Sequence, residues 1–408
     1  MHTRFIHSIN ILLLFTLLTG LLGGCSSSAT ADPLSVRVEA IEGSVSVLTA
    51  SGEQRELTHP DTLQTGDTVR TGDYASCSII YEDGTATTLG GGTSLTIGQA
   101  DSSGVRLRVS AGRIWIKVKH LIVGEESFDV ESGQVNASVR GTLFYVDAGS
   151  GESTSIALVD GQLAAGSGNS RLPDKADEAG TDTAWLNPFE QLDAAGGSAN
   201  IGKLKSELKV EELLEGADRP LLQQMLLDVR ERTGEDASAN QRLSELAEQL
   251  EKELDAQARE ARNLLDYVLT DTDFYAAPLK GGYLDEKTGI LYRSIQSEFP
   301  AEINFYTNAG QVKWAPDAAQ SKPVIFRIHD PKLVDTSEMG VLDHVWNLGA
   351  STYPKVAGWE PLDSGGELYK KYTRYIQING AGRLPIEELM RRSGQEPADY
   401  VFIDIQDQ

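Results

Sequence analysis

Cysteine is nearly absent from this chain of 408 residues: there are two, Cys25 and Cys77. A disulfide-stapled fold is therefore excluded, since a framework of bridges needs more. Basic side chains are also few. The 36 Lys and Arg stand against 60 Asp and Glu, a formal charge of −24, and nucleic-acid binding requires the opposite balance. No apolar run reaches the ~20 residues of a membrane-spanning helix. The chain has no Gly-x-Ser-x-Gly, no His-Glu-x-x-His and no phosphate-cradling glycine loop. Gly90-Gly91-Gly92 lies between two strand patterns and reads as a turn. Six histidines are scattered. His329-Asp330 and Asp343-His344 could pair in a metal or acid/base site, but no secondary motif links them, and ordinary surface or core histidines account for both. The sequence thus predicts no catalytic residue, no metal ligand and no cofactor.

What is present begins at the N-terminus. MHTRFIHSIN carries Arg4 and no acid, and residues 11–22 (ILLLFTLLTGLL) form a short apolar core. This is the length of a signal-peptide core and too short to span a bilayer. Leu22-Gly23-Gly24-Cys25 follows and resembles a bacterial lipobox, whose cysteine takes a diacylglyceryl thioether. The alternative is an ordinary secretory peptide cleaved elsewhere. We expect residues 1–24 to be a lipoprotein signal, Cys25 the lipidation site, and residues 25–33 a tether. Each buried methylene contributes ~0.8 kcal/mol, so a two-chain anchor holds where one chain does not. The expected location is the bacterial envelope. Ser26 after the acylated cysteine favours the periplasmic face of an outer membrane in a diderm; in a monoderm the anchor sits on the outer face of the cytoplasmic membrane. With Cys25 acylated, Cys77 has no partner in the chain and reads as a small buried hydrophobe on a strand.

Residues 34–195 alternate with period two in short runs: Val36/Val38, Val45/Val47, Ala75/Cys77/Ile79/Tyr81, Val105/Leu107/Val109, Ile114/Ile116/Val118 and Val135/Ala137/Val139. Turn signals at Glu42-Gly43, Asp83-Gly84, Ala111-Gly112 and Asp160-Gly161 separate them. This predicts an all-β domain, an antiparallel sandwich or rolled sheet, closed by a last strand at 183–194 anchored by Trp185. In 203–269 the period changes. Asp218 with Pro220 predicts a capped helix bearing Leu221, Leu222, Met225, Leu226 and Val229. A longer helix over 238–269 carries Leu243, Ala247, Leu250, Leu254, Ala261, Leu264 and Val268, with Gln257 the one polar seam position. It can pack back as a helical hairpin or pair as a coiled-coil homodimer. Residues 270–408 read as an α+β domain: a hairpin around Asn308-Ala309-Gly310, a buried strand at 323–328, and a terminal βαβ-like unit of strand 374–378, helix 384–393 and strand 400–405. Lys370, Lys371, Arg374, Arg383, Arg391 and Arg392 form a basic cluster in an acidic chain. It reads as a solvated edge and helix face, or as a contact for an anionic polymer, lipid headgroup or acidic partner. Trp314, Trp346 and Trp359 are buried anchors or sugar-stacking rings.

Several blocks, in order, resemble the FecR domain family: Ile41–Val45, Leu63–Gly72 (LQTGDTVRTG), Ile79–Thr85, Gly112–Ile116, Val139–Phe144 (VRGTLF) and Val159–Leu163. The resemblance implies a β module in which Gly66, Asp67, Gly72, Asp73, Arg140, Gly141 and Thr142 are structural. Gly141 inside a strand then marks a bulge, and Arg140 beside it needs a carboxylate or carbonyl partner, with Asp67 and Asp73 as candidates. Well-known members of the family regulate iron transport through a cytoplasmic anti-sigma segment and one transmembrane helix. The leader here argues against a sigma-factor role. The expectation is a non-enzymatic, lipid-anchored envelope protein whose β module binds or scaffolds a protein or envelope polymer. The alternatives are a carbohydrate-binding or hydrolase-like C-terminal domain, and a periplasmic signalling adaptor without anti-sigma activity.

Overall fold

The computed structural model describes residues 33–119, 127–149, 153–168, 170, 172–173, 175–195, 200–234, 240–269, 282–295, 303–306, 311–314, 322–329 and 378–405, with backbone alone at 140, 295, 303–306, 311–314, 378 and 379. It divides into two compact units, Met1–Lys209 and Val210–Gln408. The chain is predominantly β, with helices gathered in the second unit. Among the described residues no helix is long and apolar enough to cross a membrane.

In the first unit the strands are β1 (Val36–Glu42), β2 (Val45–Leu48), β3 (Gln54–Glu56), β4 (Asp61–Leu63), β5 (Thr68–Thr71), β6 (Ser76–Tyr81), β7 (Ala86–Leu89), β8 (Ser94–Asp101), β9 (Gly104–Lys117), β10 (Ser127–Ser132), β11 (Val135–Ala148), β12 (Thr154–Ser167), β13 (Thr183–Leu186), β14 (Glu190–Ala194) and β15 (Lys205–Glu207). All join one sheet. Its first part runs β4-β1-β6-β7-β9-β8-β5-β2-β3 and is antiparallel throughout. Only residues 57–60 separate its two ends, β3 and β4, in sequence. They are clipped by a bidentate pair, Arg55 Nη1 to Asp61 Oδ2 at 2.5 Å and Nη2 to Oδ1 at 3.2 Å. The expected rolled sheet is thus a barrel-like curl.

That clip has a pH signature. The hydrogen bond from Arg55 holds the Asp61 carboxyl below its ordinary value, against a smaller opposing push from burial. A depressed folded-state value means the contribution is complete above the unfolded carboxylate pKa of about 3.9 and lost as pH falls through the folded value. Arg55 is 38% exposed, so solvent screening limits the pair to about 1 kcal/mol. Asp61→Asn should cost that much at pH 7, and the gap from wild type should close below about pH 4. Urea unfolding across pH 3–7 checks this; a gap independent of pH would show that the pair does not contribute.

Strands β9, β11 and β12 have 14 residues each, and each changes neighbours at a central glycine. Residues 104–109 of β9 pair with β10, and residues 112–117 with β11. Residues 135–139 of β11 pair with β10, and 143–148 with β9. Residues 154–158 of β12 pair with β14, and 163–166 with β13. The glycines are Gly112, Gly141 and Gly161, at φ +82, +62 and +95°. The turns expected at Ala111-Gly112 and Asp160-Gly161 are therefore absent, because both dipeptides lie inside continuous strands. The preceding residues stay paired, Ala111 with Ser94 and Asp160 with Leu143. One positive-φ glycine then inserts a bulge instead of reversing the chain. Bulged corners let one sheet turn back over a single core, which runs unbroken from Val36 to Ile201.

Where these strands cross the middle, both faces are covered. Ile114-Trp115-Ile116, Leu143-Phe144-Tyr145-Val146 and Ile156-Ala157-Leu158-Val159 are all at most 4% exposed, which explains apolar runs without alternation. The single last strand expected at 183–194 is two, β13 and β14, each extending one half of β12. Its anchors are Ala184 and Leu186, buried in the core, while Trp185 stands half-buried on the opposite face. Strand alternation, which a tryptophan's size tends to mask, decides this.

In the second unit the helices are α1 (Val210–Gly216), α2 (Arg219–Thr233), α3 (Gln241–Leu269) and α4 (Ile386–Ser393). Asp218 caps α2, accepting from the Leu221 amide at 3.3 Å, with Pro220 in the first turn. α2 and α3 pack as a hairpin, Arg219 Nη1 donating to the Leu254 carbonyl at 3.1 Å and Arg230 pairing with Glu251 at 2.8 Å. The buried stripe of α3 is Leu243, Ala247, Leu250, Leu254, Ala258, Ala261, Leu265 and Val268, with Leu246 beside it. Beyond Leu254 it departs from the expected seam: Ala258 takes the place of Gln257, and Leu265 that of Leu264. Leu243, Leu254 and Leu265 fall 11 apart, the spacing of a nearly straight helix and not of a left-handed coiled coil. The C-terminal half of the stripe joins one cluster with Tyr283, Tyr292, Ile325, Ile386, Leu389 and Met390. Among the described residues the stripe is thus used within the chain.

The sheet of this unit comprises β16 (Gly282–Asp285), β17 (Ile290–Ile295), β20 (Val324–Ile328), β21 (Ile378–Gly382) and β22 (Val401–Ile405), in the order β21-β16-β17-β20-β22. β18 (Ile303–Tyr306) and β19 (Gln311–Trp314) form the expected hairpin. The terminal βαβ-like unit is present in split form. Its strands β21 and β22 are not neighbours but opposite edges, with β16, β17 and β20 between them and α4 in the connection. Its first strand lies at 378–382; residues 371–377 are outside those described.

Candidate functional site

The residues of LQTGDTVRTG form a joint. Gly66, at φ +94°, donates its amide to the Ile97 carbonyl at 2.7 Å, and a Cβ there would lie 2.7 Å from the Ala50 Cβ. Asp67 is 5% exposed, and both its oxygens are engaged: Oδ1 accepts from the Ala50 amide (3.0 Å), Oδ2 from the Gln64 amide (2.9 Å). Thr71 Oγ1 donates to the Gly90 carbonyl (2.5 Å) and accepts from the Thr93 amide (2.9 Å). Thr93 Oγ1 in turn bridges the Arg113 carbonyl and amide, both at 3.0 Å. The Gly72 amide donates to the Ser44 carbonyl at 2.8 Å, and its own carbonyl accepts from Gly92. Asp73 is exposed, its carboxylate beside Gly92. Buried polar groups each need a partner, and these residues supply partners to a crossing of four strands.

The second motif, Arg140-Gly141-Thr142, is the bulged corner of β11. The register shifts between Arg140 and Leu143, and Arg140 stands opposite Gln162. Thr142 is fully buried, and its carbonyl accepts from the Val118 amide at 2.8 Å. Its hydroxyl makes no hydrogen bond among the described residues. The Arg140 side chain lies outside the described residues, so its pairing with Asp67 or Asp73 is not described.

Of the C-terminal basic cluster, Lys370, Lys371 and Arg374 lie outside the described residues, and Arg383 is exposed just after β21. Arg391 and Arg392 are engaged. Arg391 Nη2 donates to Glu388 Oε2 at 3.1 Å and Arg392 Nε to Oε1 at 2.6 Å. Glu388 is 5% exposed, so these two cations neutralise a buried carboxylate, and the anionic-partner patch loses them. Nearby, Arg327 hydrogen-bonds Glu387, lies 4.3 Å over the Phe402 ring and 3.7 Å from Asp404. His329 Nε2 meets Asp404 Oδ1 at 3.0 Å. Burial pushes the Tyr292 phenol above its ordinary value, with Glu387 and Asp285 adding to the shift. Asp330, Asp343 and His344, the other members of the acid/base candidate, and Trp346 and Trp359 lie outside the described residues, as does Cys25. Among the described residues no three His, Cys, Asp or Glu side chains converge as metal ligands. Cys77 is fully buried on β6, and burial pushes its thiol up to about 12, which makes it inert as a nucleophile.

Sequence reasoning missed the Arg55–Asp61 clip and the Glu388 triad. The triad had a signal, since Glu388, Arg391 and Arg392 fall at i, i+3 and i+4 on one helix. The clip had none, because its two residues belong to strands that meet only when the sheet curls.

Residues 67–164 match the family model described as FecR protein. Two crystal structures of a protein provisionally assigned as an anti-sigma factor from Parabacteroides distasonis ATCC 8503 are similar at 18% identity, with TM-scores of 0.28 and 0.29. Each match covers 36% of this chain and 62% of that one, so the chain spans less than two thirds of their length. A structure described as a cell surface anchoring domain is 31% identical over 16% of this chain and 84% of its own, with a TM-score of 0.15. No curated protein matches the chain.

Proposed function

We propose that this chain, whose residues 67–164 are a FecR domain, is a lipid-anchored envelope protein in which that domain binds or scaffolds a partner and performs no chemistry of its own. The observation that carries the reading is the fate of the family's polar signature. Asp67 and Thr71 are engaged by backbone groups, as is Thr93 beside them, so the module offers an outer surface where an enzyme would offer a cleft lined by free titratable groups. The anchor is Cys25, following Leu22-Gly23-Gly24. The helices and the C-terminal α+β part supply spacing and a second surface.

Fractionation of cells labelled with a palmitate analogue tests the anchor. The wild-type chain should sediment with membranes in high salt and carry label; Cys25→Ser should be unlabelled and soluble. A labelled, sedimenting Cys25→Ser variant would overturn it. Affinity capture on the full-length chain, with residues 34–195 deleted in the control, tests the binding role: a partner retained by the deletion would place binding elsewhere.

A further inference from the structure

Within LQTGDTVRTG the two charged side chains are Asp67 and Arg70, and only Arg70 has no work in the fold. Gly66, Asp67, Thr71 and Gly72 build the joint, Val69 is fully buried, and Thr68 Oγ1 bonds Thr96 Oγ1 at 2.9 Å. Arg70 is exposed and makes no ion pair or hydrogen bond among the described residues. In the same unit Arg55, Arg106, Arg108 and Arg113 pair with carboxylates, while Arg37 on β1, outside the motif, is exposed like Arg70. The register sets what surrounds Arg70 on the outer face of β2, β5 and β8. Ser46 and Ser94 stand directly across from it on either side. In the next row on that face Leu48 and Thr96 flank Thr68. The tile is one guanidinium, four hydroxyls and one leucine, without a carboxylate, in a chain of net charge −24. Its bordering charges are Glu56, one strand beyond Ser46, and the Arg108–Glu131 pair on the far side of Thr96.

We infer that this face is a protein-docking surface anchored by Arg70, and that its partner is a neutral or basic protein presenting one carboxylate to that guanidinium. The inference rests on the reading of the β domain as a binding module. Three physical points choose the partner. Small ligands are held in concave sites, and the outer face of a curled sheet is not concave, which suits a protein partner. Arginine is over-represented among the residues that dominate such interfaces, and its planar fork takes a carboxylate by two parallel bonds. With neighbouring strands ~4.8 Å apart, the hydroxyls of Ser46 and Ser94 lie on either side of that carboxylate as further donors. An anionic polymer would meet one cation and then the repulsion of a strongly acidic protein, which favours a single carboxylate in an otherwise uncharged or basic surface.

The test replaces Ser94 with the photo-crosslinker p-benzoylphenylalanine in the full-length chain in cells, with Ser102, at the exposed hairpin tip, as the control position. The adduct is identified and purified, and its Kd is measured against wild type and Arg70→Glu. A protein adduct should form from position 94 and not from 102. Arg70→Glu should weaken binding about tenfold or more, the loss expected when a charge-assisted hydrogen bond goes unmade, at an unchanged unfolding temperature. Reversing one carboxylate of the partner to arginine should restore binding to Arg70→Glu. If Arg70→Glu lowers the unfolding temperature, Arg70→Gln takes its place in the same comparison. No adduct from position 94, a glycan adduct, or a Kd indifferent to Arg70 overturns the inference. A partner that needs residues 34–195 but ignores Arg70 rejects this face alone and leaves the module's binding role standing.

Discussion

Gly161→Val should unfold the β domain or bring it to the edge of unfolding. Gly161 sits at φ +95°, where a β-branched residue is strained. A Cβ there would lie 2.5 Å from Thr142 Cγ2 and 2.7 Å from the Gly141 carbonyl oxygen, so the corner of β12 could accept it only by pushing the corner of β11 away. Overpacking of this kind costs ~1–3 kcal/mol, and a backbone conformation incompatible with the new residue adds to it. The sum is at least about 3 kcal/mol, against the ~5–15 kcal/mol of a typical domain. Gly168 supplies the control: its φ is +52°, and nothing lies within 4 Å of a Cβ built there. Gly168→Val should show the backbone cost alone. Urea unfolding of both variants in the full-length chain, followed by far-ultraviolet circular dichroism at the β signal, makes the comparison. Equal losses would mean that the two corners do not brace each other.

Glu388→Ala should be strongly destabilising to the second unit, and more so than Glu387→Ala. It leaves Arg391 and Arg392 without their shared carboxylate, and breaking one member of a buried pair costs ~3–5 kcal/mol. The side chains of Arg391 and Arg392 keep 27% and 16% exposure and can partly turn to water, which places the expectation near about 3 kcal/mol. The packing lost is that of α4 against the cluster holding Leu389, Met390, Ile386 and Tyr283. Amide hydrogen exchange reads it directly: protection should fall over 378–405 and stay unchanged over 104–148. Glu387→Ala tests specificity, since its carboxylate is more exposed and its partner Arg327 retains Asp404 and the Phe402 ring. A larger loss from Glu387→Ala would refute the ranking.

Much of this architecture was legible because period-two alternation is local. Val36/Val38, Val105/Leu107 and Val135/Ala137 all face the core as their spacing requires, and the cap at Asp218 formed as written in the chain. Three things were not legible. Ala111-Gly112 and Asp160-Gly161 look the same whether a strand turns or bulges, because the outcome depends on whether the preceding residue stays paired with another strand. The seam of α3 changed from Gln257 to Ala258 because an 11-residue spacing and a heptad differ by only about half a position per three turns, and the packing partner decides between them. That β21 and β22 end as opposite edges of one sheet could not be read, because the three strands separating them come earlier in the chain. At the candidate site, motif order disclosed which segment mattered, but only the register separated Arg70 from the residues around it.

The curl of the first sheet bears on how the protein survives as well as how it binds. Open sheet edges recruit stray strands and seed aggregation. Here the ends of the curl, β3 and β4, are three residues each, joined through four residues and locked by Arg55 and Asp61. Short, charged, mutually tethered edges give an incoming chain little backbone to pair with. Strand addition at β3 or β4 is thereby disfavoured.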